Sequence, residues 1–328
     1  MKTGLLQFFS WPDRKVPLPD VYRRALERID VMERTGYDAV WLAEHHFTGY
    51  SVCPSVHVMA THIAARTQRL RIGTAVTLAA FYHPLRIAED IALLDVLSGG
   101  RVNWGAGRGF DKVEFDNFGV PVEQSSERFR EAVEVVLAAW QSERLTFSGK
   151  FHHFEGVEVL PKPLQQPHPP TWVAATSPEA MAWAASRGYS ILMDPHSTHA
   201  EIARKREAYR AELERNGFAF AGRTLPMARL IAVAPTDAEA EEVARRGARW
   251  TTASYVKAKT MNAFRSDGAE MDPVEHYLNG VVIHGSPARV IDQIQRLQSE
   301  MFLSYLMIAP LSERSFQLFT DEVLPRVA

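Results

Sequence analysis

Short apolar runs alternate along the chain with longer segments in which apolar residues recur every three or four positions. The short runs predict buried strands, and the longer segments predict amphipathic helices with one face in the core. The clearest run, Ala39-Val40-Trp41-Leu42-Ala43, is apolar throughout and is typical of a parallel strand covered on both sides. The eight predicted strands span residues 4–9, 39–43, 70–76, 101–106, 171–175, 189–193, 227–234 and 303–309.

Strands that alternate with helices predict parallel strand–helix units, because parallel neighbours need a crossover between them. Eight units in 328 residues favour an α/β fold, a (β/α)8 TIM barrel formed by a single domain over residues 1–328. Two insertions interrupt the pattern, after the fourth strand at 110–124 and before the eighth strand at 256–280. An open doubly wound sheet is the alternative, but the stretch at 105–109, GAGRG, lacks the G-x-G-x-x-G spacing of a dinucleotide site.

Composition narrows the class of protein further. Hydrophobic residues make up 46% of the chain, which is enough for a large core, and the net charge of −2 does not favour binding to nucleic acid. A single cysteine, Cys53, excludes an internal disulfide and indicates a cytoplasmic location. The apolar start at residues 4–9 is shorter than a signal-peptide core and is interpreted as the first strand, and no run approaches the ~20 apolar residues of a membrane span.

Three titratable side chains, Glu44, His45 and His46, directly follow the second predicted strand. Ligands of parallel α/β folds bind at the carboxyl ends of the strands, so these residues are candidate catalytic groups. A metal-dependent hydrolase competes with this interpretation, but it calls for an H-x-H pair and further ligands later in the chain. Adjacent side chains of an extended segment point in opposite directions, so the histidines predict no metal site.

A second group of residues indicates a phosphate site. Ser177 has the properties of a helix N-cap followed by Pro178, and helix starts on the active face of such folds bind anions. Arg108 and Arg128 are candidate partners for the phosphate, whereas the charge of Glu179 counts against it. The glycines on either side of Arg108, among them Gly107, leave room for a flat ligand to approach the backbone.

Several motifs occur in an order that one protein family shares. They are Trp41-Leu42-Ala43-Glu44-His45-His46-Phe47, Gly73-Thr74-Ala75-Val76, His83-Pro84, Ala88-Glu89-Asp90, Leu94-Asp95, Gly99-Gly100-Arg101, Gly107-Arg108-Gly109 and Trp183-Ala184-Ala185 with Arg187-Gly188. The chain resembles the bacterial-luciferase-like, flavin-dependent monooxygenases over nearly its whole length. The family implies a barrel that binds reduced FMN supplied by a separate flavin reductase. Oxygen adds at the flavin C4a position, and the peroxyflavin oxygenates a small organic substrate.

The resemblance also implies roles for individual residues. It assigns catalysis to His45, supported by His46 and Glu44. The cofactor-binding residues that it implies are Glu44, Ala75 and Val76 with a cis peptide bond between them, Gly107, Arg108, Arg128, Thr176 and Ser177. Gly107 stands where light-emitting members carry a reactive cysteine, so the resemblance implies oxygenation without light.

Two other functions stay open at this point. One is a deazaflavin-dependent oxidoreductase of the same superfamily, and the other is a non-catalytic flavin-binding subunit, against which the intact Glu44-His45-His46 string argues. The residues do not identify the substrate or the type of oxygenation. The predicted helices at 55–66 and 84–97 carry more apolar surface than packing on a barrel needs, which predicts a homodimer through this face.

Overall fold

This computed structural model describes residues 1–193, 195–256, 265–266, 269–270 and 272–327. The chain divides into two compact units. Unit 1 comprises Met1–Leu6, Thr35–Asp38 and Ala175–Ala328, and unit 2 comprises Gln7–Arg34 and Ala39–Ala174. The single domain over residues 1–328 therefore stays a prediction, and each unit is a mixed α/β structure with parallel strands.

Strands and helices alternate through most of the described chain. The strands are β1 (Lys2–Gln7), β2 (Ala39–Leu42), β3 (Arg71–Thr74), β4 (Thr77–Leu78), β5 (Val102–Gly107), β6 (Leu145–Ser148), β7 (His153–Val157), β8 (Thr171–Ala174), β9 (Ser190–Leu192), β10 (Met227–Val233), β11 (Arg265–Ser266), β12 (Ala269–Glu270), β13 (Ile283–Gly285) and β14 (Tyr305–Pro310). The helices are α1 (Leu18–Arg34), α2 (Val56–Arg66), α3 (Pro84–Leu97), α4 (Lys112–Phe118), α5 (Ser125–Gln141), α6 (Pro178–Ser186), α7 (His199–Arg215), α8 (Asp237–Thr251), α9 (Pro273–Gly280), α10 (Pro287–Met301), α11 (Glu313–Leu318) and α12 (Leu324–Val327), with π-helical turns at Thr252–Val256 and Phe319–Val323.

In unit 2 four parallel strands lie in the order β2–β3–β5–β8, and the short β4 also pairs with β5. All four residues of β2 are buried, as the unbroken apolar run at 39–43 predicts. All six residues of β5 are buried as well. Tryptophans fill the core around this sheet. Trp41 packs edge-on against Trp172 at 5.4 Å between ring centroids, and Trp104 packs against Trp140 at 5.1 Å.

Unit 1 has a parallel arrangement of its own. β14 lies between β1 and β10, and β10 also pairs with the three-residue β13. Met193, directly after β9, forms an isolated parallel bridge with Met227 at the start of β10. Parallel pairing in both units confirms the predicted class of strand–helix repeat.

Two local features differ from the sequence prediction, and a third is described only in part. The insertion at 110–124 is not a structureless loop, because it contains α4, whose first turn is capped by the Asp111 side chain. The strand β13 was not predicted, since three residues are too few to show a periodic pattern. Much of the predicted insertion at 256–280 lies outside the described residues, and its last part forms α9.

The strands β6 and β7 pair antiparallel and form a hairpin with its tip at residues 149–152. In the part of the chain that the structure describes, no helix is long and apolar enough to cross a membrane.

Candidate functional site

The polar residues after β2 form the centre of the candidate site. Glu44 is 2% exposed, and one of its carboxylate oxygens lies 3.0 Å from Nε2 of His46. Residues two apart on an extended segment share a side, which explains why Glu44 meets His46 and not His45. A buried carboxylate beside an imidazole is an arrangement that can hold or pass a proton.

Two further donors fix the Glu44 carboxylate. The backbone N–H of Leu78 donates to Oε2 at 3.2 Å, and the Tyr82 hydroxyl donates to Oε1 at 2.7 Å. Burial raises the pKa of Tyr82, and the negative charge of Glu44 raises it further, so the phenol stays protonated and remains a donor. The sequence placed Tyr82 in an aromatic loop at a strand end but assigned it no role, and in the structure it follows the turn at Ala79–Phe81.

His45 faces a second buried carboxylate, that of Glu114 on α4. Its Nδ1 lies 3.7 Å from Glu114 Oε1, and the same oxygen accepts the backbone N–H of His46 at 3.0 Å. Glu114 is 1% exposed. The sequence did not point to Glu114, because α4 is only seven residues long, but Asp111 before it and Gly119 after it are the cap residues of a short helix. Below, Glu44, His45, His46, Tyr82 and Glu114 are called the strand-end site.

Aromatic rings surround both histidines of the strand-end site. The rings of Phe8, Tyr50 and Phe110 lie 6.3, 5.3 and 6.3 Å from the His45 ring, measured between centroids. Phe118 packs edge-on against His46 at 4.7 Å. These rings keep water away from the imidazoles, which strengthens electrostatic interactions and limits proton exchange to defined partners.

The backbone beside this site is unusual at two points. The peptide bond between Ala75 and Val76 is cis, as the resemblance implies. A Cβ atom at Gly107 would overlap the Val76 side chain, so only glycine fits at the end of β5. The missing side chain makes room for Val76, which packs directly against the Gly107 backbone. A role of Ala75, Val76 and Gly107 in cofactor binding stays a prediction.

Each of the two candidate phosphate-binding arginines donates to a side chain at the start of α5. Nη1 of Arg108 donates to Ser125 Oγ at 3.2 Å, while Nε and Nη2 of Arg128 donate to Gln124 Oε1 at 3.1 and 3.0 Å. Both guanidinium side chains are half-buried. Gln124 and Ser125 are consecutive, so both guanidinium groups bond to the same short segment, and charged donors of this kind suit a phosphate monoester.

Thr176 and Ser177 belong to unit 1, whereas the arginines belong to unit 2. The predicted cap is confirmed, since Ser177 Oγ accepts the backbone N–H of Ala180 at 3.2 Å and Pro178 begins α6. Both residues are exposed. A phosphate-binding role for this helix start stays a prediction.

A second acid–histidine pair lies away from the strand ends. Glu131 on α5 accepts hydrogen bonds from the backbone N–H groups of Lys150, Phe151 and His152 at the tip of the hairpin, and its Oε1 lies 3.0 Å from Nδ1 of His152. Glu131 with residues 149–152 is called the hairpin clamp below, and in it His152 has a structural role. Among the residues that the structure describes, no group of three or more His, Cys, Asp or Glu side chains is placed to hold a metal ion.

Comparison with curated proteins finds relatives that match part of the chain. The Sinorhizobium fredii protein y4wF is 36% identical over 192 residues, which are 58% of this chain and 55% of that protein. The oxygenase component of flavin-dependent trigonelline monooxygenase from Acinetobacter baylyi is 30% identical over 177 residues, 53% of this chain and 49% of that protein. The chain thus spans about half the length of these curated relatives.

Solved structures match over the full length. Monooxygenase RslO1 from Streptomyces bottropensis has a TM-score of 0.84 at 25% identity and covers 100% of both chains. The oxygenating constituent of 3,6-diketocamphane monooxygenase from Pseudomonas putida, in complex with FMN, has a TM-score of 0.82 at 19% identity and covers 100% of this chain and 99% of that one. An F420-dependent secondary alcohol dehydrogenase has a TM-score of 0.78 at 18% identity, with 100% and 99% covered.

The family model that describes luciferase-like monooxygenases matches residues 1–303 of the 328. The match includes every residue of the strand-end site and both arginines. The chain therefore belongs to the luciferase-like monooxygenase family.

Proposed function

We propose that this protein is an FMN-dependent monooxygenase that uses reduced FMN, supplied by a separate flavin reductase, and O2 to oxygenate a small organic substrate. One observation carries the proposal. Within unit 2 a buried acid–imidazole site follows β2, and a pair of anchored arginines follows β5. The carboxyl ends of parallel strands lie at one edge of a sheet, which is where such folds bind ligands.

The residues fit a flavin mononucleotide in their chemistry. Arg108 and Arg128 supply charged donors for the phosphate. The binding roles that the resemblance implies for Thr176 and Ser177 are a separate prediction about unit 1. Gly107 and the Ala75–Val76 peptide border the space proposed for the ring system. When bound, reduced FMN supplies the electrons that activate O2.

The strand-end site is proposed to manage protons during the reaction. His45 gives or takes a proton at its imidazole, while Glu44 holds His46 through Nε2 and stays a hydrogen-bond acceptor because Tyr82 donates to it. The rings of Phe8, Tyr50 and Phe110 keep water out. The FMN in the diketocamphane monooxygenase structure and the oxygenase-component name of the Acinetobacter relative support this assignment.

A deazaflavin-dependent oxidoreductase is the second candidate, supported by the likeness to the F420-dependent alcohol dehydrogenase. A non-catalytic flavin-binding subunit is less well supported, because the Glu44–His46 pair is intact and buried. A binding titration with reduced FMN and with reduced deazaflavin separates the first two candidates. We expect tighter binding of FMN, and exclusive binding of the deazaflavin would overturn the proposal.

The phosphate site gives a direct test by mutation. Arg108→Ala is expected to weaken FMN binding by about 1.5–3 kcal/mol, because a hydrogen bond to a charged group is lost. A fluorescence titration of parent and variant measures this difference. Equal affinity of the two proteins would remove Arg108 from the phosphate site.

We also propose that the strands close into the predicted (β/α)8 barrel, that the protein is cytoplasmic, and that it forms a homodimer through α2 and α3. Four apolar side chains of these helices are exposed, namely Val58 (72%), Leu93 (47%), Val96 (44%) and Leu97 (60%). Apolar surface of this kind marks an interface. Sedimentation should therefore give a mass of about twice the 36.9 kDa chain. A single 36.9 kDa species at micromolar concentration would contradict the dimer.

A further inference from the structure

The tip of the β6–β7 hairpin is fixed to α5 by one carboxylate. Glu131 accepts the backbone N–H of Lys150 at 2.7 Å, of Phe151 at 2.9 Å and of His152 at 2.7 Å. A Cβ atom at Gly149 would overlap this carboxyl group, so glycine is required where the backbone passes over it. Three consecutive N–H groups on one carboxylate leave the tip little freedom to move.

The fixed tip places the Phe151 ring against Arg128, one of the two candidate phosphate-binding residues. The guanidinium carbon of Arg128 lies 4.4 Å from the Phe151 ring centroid, well within the range of a cation–π interaction. Arg128 precedes Glu131 by three positions on α5, so both side chains lie on the same side of the helix. One side of α5 therefore holds the hairpin tip, and the tip in turn packs on the arginine.

The second contact of Arg128 completes its fixation. Nε and Nη2 both donate to Gln124 Oε1, which sets the plane of the guanidinium, and the aromatic ring covers one face of that plane. A long arginine side chain normally loses much rotational freedom when it binds a ligand. Fixing it beforehand lowers that cost, so the affinity for a bidentate anion rises.

We infer that Phe151 is a positioning residue for phosphate recognition: it holds Arg128 ready, and the hairpin thereby selects a phosphorylated flavin over its unphosphorylated counterpart. This inference rests on the proposed function, since it assigns the phosphate monoester to Arg128. It adds a specificity element to the site that lies on the hairpin and not at a strand end.

The test compares binding of FMN and of riboflavin, which lacks the phosphate, to the full-length protein. Phe151→Leu keeps an apolar side chain but removes the π face, and we expect FMN binding to weaken about three- to tenfold with riboflavin binding unchanged. Phe151→Tyr keeps the π face and should retain the parental affinity for both. Phe154→Leu is the matched control, because Phe154 lies on the same hairpin and contacts His83 and His152 but is not the ring over Arg128.

A double-mutant cycle isolates the proposed contact. With Arg128 already replaced in Arg128→Ala, Phe151→Leu should have no further effect on FMN binding. The inference is overturned if Phe151→Leu weakens both flavins equally, if it changes neither, or if Phe154→Leu has the same effect. A parent protein that binds neither flavin would instead overturn the proposed function, so the two failures are distinguishable.

Discussion

The strand-end site and the hairpin clamp each contain a glutamate 3.0 Å from a histidine, yet the remaining partners of the two glutamates differ. Glu131 is bound by three backbone N–H groups in addition to its imidazole. Glu44 is bound by one backbone N–H and by a phenol. Three backbone amides tie the Glu131 carboxylate to a turn, whereas most of the partners of Glu44 are side chains.

The pair itself therefore does not define the role of either glutamate. Burial alone would raise the pKa of Glu131, but hydrogen bonds from the N–H groups of Phe151 and Lys150 and from His152 outweigh it, and the pKa lies below its ordinary 4.5. Above its lowered pKa, Glu131 is a carboxylate that holds a backbone turn. Glu44 orients a histidine that lies next to a second histidine at a strand end, where proton transfer is proposed.

The largest expected difference between the two regions concerns catalysis. His45→Ala should bind FMN nearly normally but lose product formation by ~10²–10⁴-fold, the usual contribution of general acid–base catalysis. Reduced flavin should still consume oxygen, with the electrons released as hydrogen peroxide. Product and peroxide yields per flavin oxidised measure this directly.

The control for that experiment is His153→Ala, which removes an exposed histidine beside the hairpin clamp and should change product yield little. Parental yield in His45→Ala would contradict the catalytic role. A joint loss of thermal stability and flavin binding would show instead that His45 is a structural tether.

A smaller effect, on stability, is expected from the clamp. Glu131→Gln removes the charge that three N–H groups share and turns an amide N–H₂ toward donors, so the free energy of unfolding should fall by about 1.5–3 kcal/mol. The isosteric Glu44→Gln should cost less stability, because it loses fewer backbone hydrogen bonds. Urea unfolding of both variants measures the loss in the free energy of unfolding. Equal losses would contradict the proposal that Glu131 has the larger structural role.

The smallest expected effect is a pH dependence. Because the folded-state pKa of Glu131 is lowered, its contribution to stability is complete above the ordinary value of 4.5 and disappears as pH falls through the lower folded-state value. The stability difference between the parent and Glu131→Gln should therefore be constant near neutral pH and shrink in acid. Thermal unfolding of both proteins from pH 7 to pH 3 measures this difference. A difference that grows in acid would contradict the prediction.

Sequence patterns were sufficient for the longer parallel strands and for the residues that follow β2. The run at 39–43 and the Glu44-His45-His46 string after it lie where the pattern predicts. A strand that is buried on both sides needs an unbroken apolar run, and its end is marked by the first polar residues. The cap at Ser177 was equally predictable, because it depends only on neighbours in the sequence.

The residues that contact His45, Glu44 and Arg128 could not be predicted from local sequence patterns. Glu114, Tyr82 and Phe151 are distant in sequence from His45, Glu44 and Arg128, and they meet them only through tertiary packing. Short elements such as α4 and β13 carry too few residues for a period to emerge.

The uneven distribution of tryptophan allows intrinsic fluorescence to follow one unit of the protein more than the other. Five of its seven tryptophans, Trp11, Trp41, Trp104, Trp140 and Trp172, lie in unit 2, and all of these but Trp11 are buried. Emission from buried indoles shifts to longer wavelength when water reaches them. Intrinsic fluorescence therefore reports chiefly on unit 2, which contains His45 and His46. Far-ultraviolet circular dichroism, in contrast, weighs the helices of both units together. Coincident curves from the two signals would indicate one cooperative transition, and separated curves would show which unit loses its packing first.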